Sequence, residues 1–172
     1  MSGKRAFLEL LKQEGVEIVF GNPGTTELPL MDAFATENEM RYLLGLQEAA
    51  DHGDGRRLRA GVRQARGVRT STSRPASATR MGMLYDAQKA GSPILVTAGQ
   101  QDQSFTATEP ILSADLPVMA RPLVKWSIEV DRLADLPRLV HRAAKTALRA
   151  ADRAGVPVAA RRHPARRRPT ST

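Results

Sequence analysis

Residues 16–34, VEIVFGNPGTTELPLMDAF, decide how the rest of the chain is read. A short apolar run rich in β-branched residues, 16–20, meets a Gly-Asn-Pro-Gly turn, after which Leu28, Met31 and Phe34 recur at helical spacing. That is strand, tight turn, helix. Gly21 and Gly24 are expected to take backbone angles closed to other residues, with Pro23 stiffening the bend between them. Thr25 or Thr26 is placed to cap the helix, and Pro29 falls in its first turn, where a missing N–H costs little. In an open parallel sheet such a turn lies at the carboxyl edge of the strands, where these folds bind ligands.

Working outward, residues 2–14 read as a helix with Ser2 as cap, Phe7, Leu10 and Leu11 on one face, and Gly15 as its end. Residues 41–46, RYLLGL, form a second strand. Gln47, Glu48, Ala49 and Ala50 then begin a helix at its carboxyl end, which puts Glu48 beside the first turn. From 51 to 80 no apolar period of 2 or 3.6 survives, chiefly Arg, Ala, Gly, Ser and Thr around Leu58, Val62 and Val68. Pattern resumes at Met81. A helix through Leu84, Ala87 and Gln88 closes at Gly91, and residues 93–98, PILVTA, are a buried-type strand. Residues 99–122 are loop-like, with Pro110, Pro117 and Pro122, and 124–130 form a short extended segment around Trp126. Leu133, Leu136, Leu139, Val140, Ala143, Ala144 and Ala147 mark a last helix, with Pro137 near its start. After Arg149 the pattern fails again.

Strands alternating with helices predict an α/β fold: a parallel sheet covered by helices on both faces, incomplete where two Arg-rich segments, expected to be disordered, interrupt it. The expected organisation is one domain over residues 1–150, disrupted at 51–80, and a basic tail over 151–172. A chain of 172 residues suffices for one such core. Cysteine is absent, which excludes disulfides, thiolate metal sites and a cysteine nucleophile, and fits a reducing compartment. Glu9 and Lys12 interrupt the apolar run a signal peptide needs, and no uncharged apolar run approaches the ~18 residues of a membrane span. The expectation is a soluble, cytoplasmic protein without membrane contact.

The net charge of +8 would suggest nucleic acid if it were spread over a folded surface. It is concentrated instead. Residues 51–80 hold 8 Arg and 2 acids, residues 151–172 hold 6 Arg and 1 acid, and the other 120 residues carry 12 basic and 15 acidic side chains, a net of −3. The strongest run, 161–168, lacks interleaved aromatics and any nucleic-acid module, and segments so charged rarely pack. Nucleic acid is therefore not the expected partner, although a basic nucleic-acid or phosphate-binding protein acting through these segments is the alternative from a different class.

GNPGTTELP (21–29), YLLGLQEAA (42–50), MGMLYDAQKAGSPILVTAGQQ (81–101) and RPLVKWS (121–127) together resemble the N-terminal, pyrimidine-binding domain of the thiamine diphosphate-dependent 2-oxo acid enzymes. The likeness is nearest to the benzoylformate decarboxylases and more distant to the acetolactate synthases. It covers roughly residues 4–50 and 81–149, and the motifs in order are far more specific than any one of them. The resemblance implies thiamine diphosphate as cofactor, a 2-oxo acid as substrate, and a second subunit or diphosphate-binding domain as partner, since the magnesium site belongs to a domain this chain lacks. A GDG at 53–55 superficially matches that domain's motif but is coincidental, having no paired Asn downstream.

The two Arg-rich segments lie where such proteins continue with further strands. Residues 151–163, written in GC-rich codons and read one base later, give PTGPVFLSLPGD. Residues 57–66 shifted likewise give GYARASGKPG, and residues 70–80 shifted by two bases give NLHVAPGLGNA. Three decodings that each restore an expected element, with arginine but no lysine in either segment, lead us to expect out-of-frame readings of a GC-rich gene.

Thiamine diphosphate reacts when its thiazolium carbon loses a proton. In the family a carboxyl group bonded to the pyrimidine ring favours the tautomer that takes this proton, a task requiring a carboxyl in a low-dielectric site. The resemblance assigns that role to Glu48. From position alone Glu48 is an ordinary helix-start acid favoured by the dipole; its LQEA context makes the cofactor role the better one. Asn22, Pro23 and Gly24 are the cofactor-side turn, although an ordinary strand-to-helix connection explains the glycines equally well. Thr25 stands where the benzoylformate decarboxylases have a serine facing the substrate carboxylate, and adds a methyl group. Their proton-transferring histidine is replaced here by Ser71 and Thr72. His141 falls on the polar side of the last helix, as a surface residue. The expected function is thiamine diphosphate binding without turnover by the chain alone; a nonfunctional gene fragment is the further alternative.

Overall fold

The computed structural model describes residues 2–45, 66–71, 74–111, 113–149 and 156–162. In chain order the regular elements are α1 (Gly3–Gln13), β1 (Val16–Gly21), α2 (Leu28–Phe34), β2 (Arg41–Leu44), β3 (Arg66–Ser71), α3 (Arg74–Lys89), β4 (Leu95–Asp102), α4 (Leu116–Ala120), β5 (Ile128–Val130), α5 (Leu136–Leu148) and β6 (Val156–Arg162). The strands form one sheet in the order β2-β1-β3-β4-β6-β5, with every neighbouring pair parallel.

Helices cover both faces, and β4 shows why. Successive strand residues point to opposite sides. Leu95 joins a core with Leu8 and Leu11 of α1 and Leu139, Val140 and Ala143 of α5, whereas Val96 packs with Leu84 and Ala87 of α3 and Ala120 of α4. In β1, Val16 and Val19 share the first core despite an odd spacing. The register against β3 slips between Val16 and Ile18, and such an irregularity resets the alternation.

The ends of α1 follow from its sequence. Ser2 occupies the N-cap and its carbonyl accepts from Ala6 N–H at 3.0 Å, but its hydroxyl makes no capping bond. Gly15 at φ 73° turns the chain into β1, a backbone angle that favours glycine. At the far end of the sheet, α5 buries Leu136, Leu139, Val140, Ala143, Ala144 and Ala147 on one face. Its last carbonyls, those of Thr146, Ala147 and Arg149, accept hydrogen bonds from Lys125 Nζ at 3.5, 3.2 and 2.7 Å, a cationic cap at the negative end of the helix. Burial nonetheless pulls the Lys125 ammonium below the ordinary lysine range.

The two segments expected to be disordered are corrected in part. Both contribute strands: β3 lies between β1 and β4, and β6 between β4 and β5. α3 likewise begins at Arg74, seven residues before the resumption of pattern at Met81. A ladder is made of backbone groups, and two flanking strands with unpaired N–H and C=O groups favour a third between them whatever its side chains. Pro157 fits this. It pairs with Val96 on one side, while the ladder to β5 begins only at Val158, so the missing N–H interrupts no bond on that second side. Among the described residues no helix is long and apolar enough to cross a membrane.

Candidate functional site

The order of the strands locates the site. From β1 the chain moves to β2 on one side, and from β3 it moves to β4 on the other, so β1 and β3 flank the point where the winding reverses. A crevice outside the carboxyl ends of two such strands is where open parallel sheets bind ligands. The turn after β1 stands there. Gly21, the last residue of β1, pairs with Leu44 of β2 and Thr70 of β3, and its carbonyl accepts from Gly45 N–H at 3.0 Å.

Asn22, Pro23 and Gly24 are half-buried on this turn, and Thr25 is exposed beside them. The structure thus brings four of the five predicted site residues to one rim. Glu48 lies outside the described residues, as does the helix expected to begin at Gln47; the strand leading toward it ends at Leu44, two residues earlier than expected. β3 ends at Ser71, one residue beyond the Gly21 partner Thr70, so the replaced histidine position borders the same crevice; Thr72 is outside the described residues. His141 is an exposed residue whose Nδ1 lies 2.7 Å from Glu14 Oε1 on the helix layer, and it takes no part in the rim.

Two details of the turn differ from expectation. Positive φ among the described glycines occurs at Gly15 and Gly91, so neither Gly21 nor Gly24 uses the left-handed region. The cap of α2 is Glu27 rather than Thr25 or Thr26, while Pro29 is in the first helical turn as predicted. Glu27 is itself 4 % exposed. Its Oε2 accepts from the Gly24 N–H (3.2 Å) and the Thr26 hydroxyl (2.9 Å), its Oε1 accepts from the Gly99 N–H (3.1 Å), and its own N–H donates to the Gly24 carbonyl (3.1 Å).

Gly99 in β4 is required by this approach. A Cβ there would lie 2.5 Å from Thr26 Oγ1, 2.6 Å from Thr26 Cβ and 3.0 Å from Glu27 Oε1. Next to it, the buried Gln100 donates from Nε2 to the Ala114 carbonyl at 2.8 Å, fixing the loop that follows β4. Glu27, Gly99 and Gln100 were not singled out by pattern. Gly24-x-x-Glu27 did carry a signal, because an acid three residues past a turn residue can reach back to that residue's N–H, as in a capping box.

Residues 1–115 match the family of thiamine pyrophosphate enzymes through its N-terminal TPP binding domain. The chain is 37% identical over 152 residues to benzoylformate decarboxylase of Pseudomonas aeruginosa, covering 83% of this chain and 26% of that protein. It is 31% identical over 141 residues to the acetolactate synthase large subunit of Lactococcus lactis subsp. lactis, covering 81% and 24%. Among solved structures, the thiamine diphosphate-dependent 4-hydroxybenzoylformate decarboxylase of Rhodococcus jostii superposes with a TM-score of 0.81 at 32% identity, over 100% of this chain and 34% of that one. The chain spans about a quarter to a third of the length of these relatives. It belongs to the thiamine pyrophosphate enzymes, as a copy of their N-terminal TPP binding domain.

Proposed function

We propose that this chain supplies the pyrimidine-binding half of a thiamine diphosphate site in a 2-oxo acid decarboxylase or carboligase of the benzoylformate decarboxylase type. The observation that carries the reading is that the 22–25 turn and the end of β3 meet at one reversal point of the sheet. The fit to the cofactor is one-sided. Backbone groups of the half-buried turn and the exposed Thr25 hydroxyl suit a small polar heterocycle and its substrate, whereas among the described residues no group of three or more acids or histidines stands together to hold the magnesium of its diphosphate. A second subunit or a diphosphate-binding domain is the partner that would provide it.

When bound, thiamine diphosphate would supply a carbanion equivalent for chemistry at the ketone of a 2-oxo acid. This chain's own tasks are narrower. Glu48 shares a proton with the aminopyrimidine, Asn22, Pro23 and Gly24 line the cofactor side of the turn, and Thr25 donates to the carboxylate of a 2-oxo acid. No imidazole stands at positions 71 and 72, so those positions do not carry the histidine of the benzoylformate decarboxylases.

Titration of the full chain with thiamine diphosphate and magnesium tests this, read by calorimetry and by the amide resonances of residues 22–25. The expected result is weak binding, with a dissociation constant of about 1 mM or above, equivalent to a binding free energy no more favourable than about −4 kcal/mol. Shifts should be confined to the rim, lost in Glu48→Gln, and accompanied by no turnover of benzoylformate. Shifts elsewhere with an unresponsive rim would reject the assignment, and micromolar binding with decarboxylation would show that the chain is a complete site.

A further inference from the structure

Glu27 does something a helix cap has no need to do. Its bond to Gly24 N–H is local, but the bond from Gly99 N–H crosses 72 residues of sequence. It also crosses the sheet: β1 and β4 are not neighbours, since β3 lies between them. The link from the turn after β1 to β4 therefore passes over the carboxyl end of β3, at the point where the winding reverses. We propose that Glu27 is the positioning residue of this rim, its buried carboxylate tying the turn that carries Asn22 and Thr25 to Gly99 and so setting where those two groups stand.

The chemistry supports the assignment. A carboxylate taken out of water is costly unless donors meet it, and an apolar side chain would serve a mere core position better. Here both oxygens are met by donors, two of them backbone N–H groups whose positions define the chain path. Bonds to an ionised acceptor are stronger and more directional than neutral ones. Contact is also enforced from the other side, because Thr26 and Glu27 fill the space a side chain at residue 99 would occupy. The inference rests on reading this rim as the ligand edge. Its functional content is that residues 22–25 are held by Glu27 before any ligand arrives.

Hydrogen exchange of single amides in the full chain tests the tie directly. In Glu27→Ala the Gly99 and Gly24 amides should exchange faster by about tenfold or more, while those of Val140 and Ala143 in α5 keep their protection. Glu27→Gln retains one carbonyl oxygen, and should protect one of the two glycines but not both. Gly99→Ala attacks the contact from β4 and should reproduce the loss at Gly24; these two variants decide the matter if Glu27→Ala does not fold. Unchanged protection of both glycines in a folded variant would overturn the proposal. A second readout separates positioning from mere stability: the shift of the Thr25 amide on adding thiamine diphosphate and magnesium should vanish in Glu27→Gln although its α5 amides stay protected, and a retained shift would count against positioning. If the unaltered chain shows no Thr25 response, the ligand assignment fails, and the exchange data still decide whether Glu27 holds the turn.

Discussion

β1 and β3 are adjacent strands of one sheet, yet they come from opposite kinds of sequence. β1 is VEIVFG, with Val16, Val19 and Phe20 buried; β3 is RGVRTS, from a segment without apolar period. The same contrast recurs between β4, with Leu95 and Val96 in two cores, and β6, VPVAARR. Two requirements are being met separately. Backbone pairing needs only an extended chain between two unpaired edges, whereas a helix-covered face needs apolar side chains at the right period. The Arg-rich strands satisfy the first. The patterned strands β1 and β4 satisfy both.

The largest expected effect comes from removing the contrast. Replacing residues 151–163 with the shifted reading PTGPVFLSLPGD brings Phe and two Leu into a segment that now holds two Val and no larger apolar residue. At about 1.5–3 kcal/mol for each fully buried apolar side chain, three such residues would stabilise the fold by roughly 5 kcal/mol or more. Urea denaturation measures it as a higher midpoint. An unchanged or lower midpoint would show that β6 already has the side chains its position needs, and would count against an out-of-frame origin. Resequencing the gene around both segments tests that origin independently.

A smaller effect probes the patterned side. Leu11, 1 % exposed, sits in the main core, and Leu11→Ala should cost about 2–5 kcal/mol. An exchange that alters only strand propensity, Arg69→Thr in β3, should stay within about 1 kcal/mol. Comparable losses from the two would mean that β3 is packed as specifically as α1, and the division drawn above would be wrong.

What could be read in advance divides along the same line. α1 and α5 were legible because one face of each is buried and writes a period of 3.6 into the side chains, and β1 and β4 because strands covered on both faces read as short apolar runs bounded by turn residues. β3, β6 and the first half of α3 were not, because their segments carry no such period. The Glu27–Gly99 tie was illegible for another reason: it joins one side chain to one backbone N–H across 72 residues, and nothing at Gly99 announces it. The rim residues Asn22, Pro23, Gly24 and Thr25 were legible as a turn at a sheet edge, and the resemblance gave them chemistry that composition alone does not.

The smallest predicted effect concerns pH, and it again falls on the patterned side. Arginine stays protonated across the accessible range, so the arginines of the Arg-rich segments contribute almost no pH dependence of their own. The link between α1 and the connection from α2 to β2 is built from carboxylates instead. Glu37, its side chain 3 % exposed, lies 3.5 Å from Lys12 Nζ and 3.7 Å from Arg5, and accepts from Glu39 N–H at 2.8 Å. That backbone bond first, and the Lys12 charge after it, hold the Glu37 carboxyl below the ordinary glutamate value of 4.5, although burial works the other way. With the folded value lowered, the unfolded chain binds the extra proton. The Glu37 contribution is therefore fully present above pH about 4.5 and is lost as pH falls through the folded value. Lys12, raised above its ordinary 10.5 by its bond to Glu9, works at the opposite end, and its contribution is lost only in strong alkali. A thermal midpoint measured from pH 6 down to pH 3 should fall, and Glu37→Gln should flatten that fall while leaving the midpoint after Arg69→Thr in β3 as it was. An equally steep acid loss in Glu37→Gln would place the titrating groups elsewhere, and would remove pH as a way to tell the two kinds of strand apart.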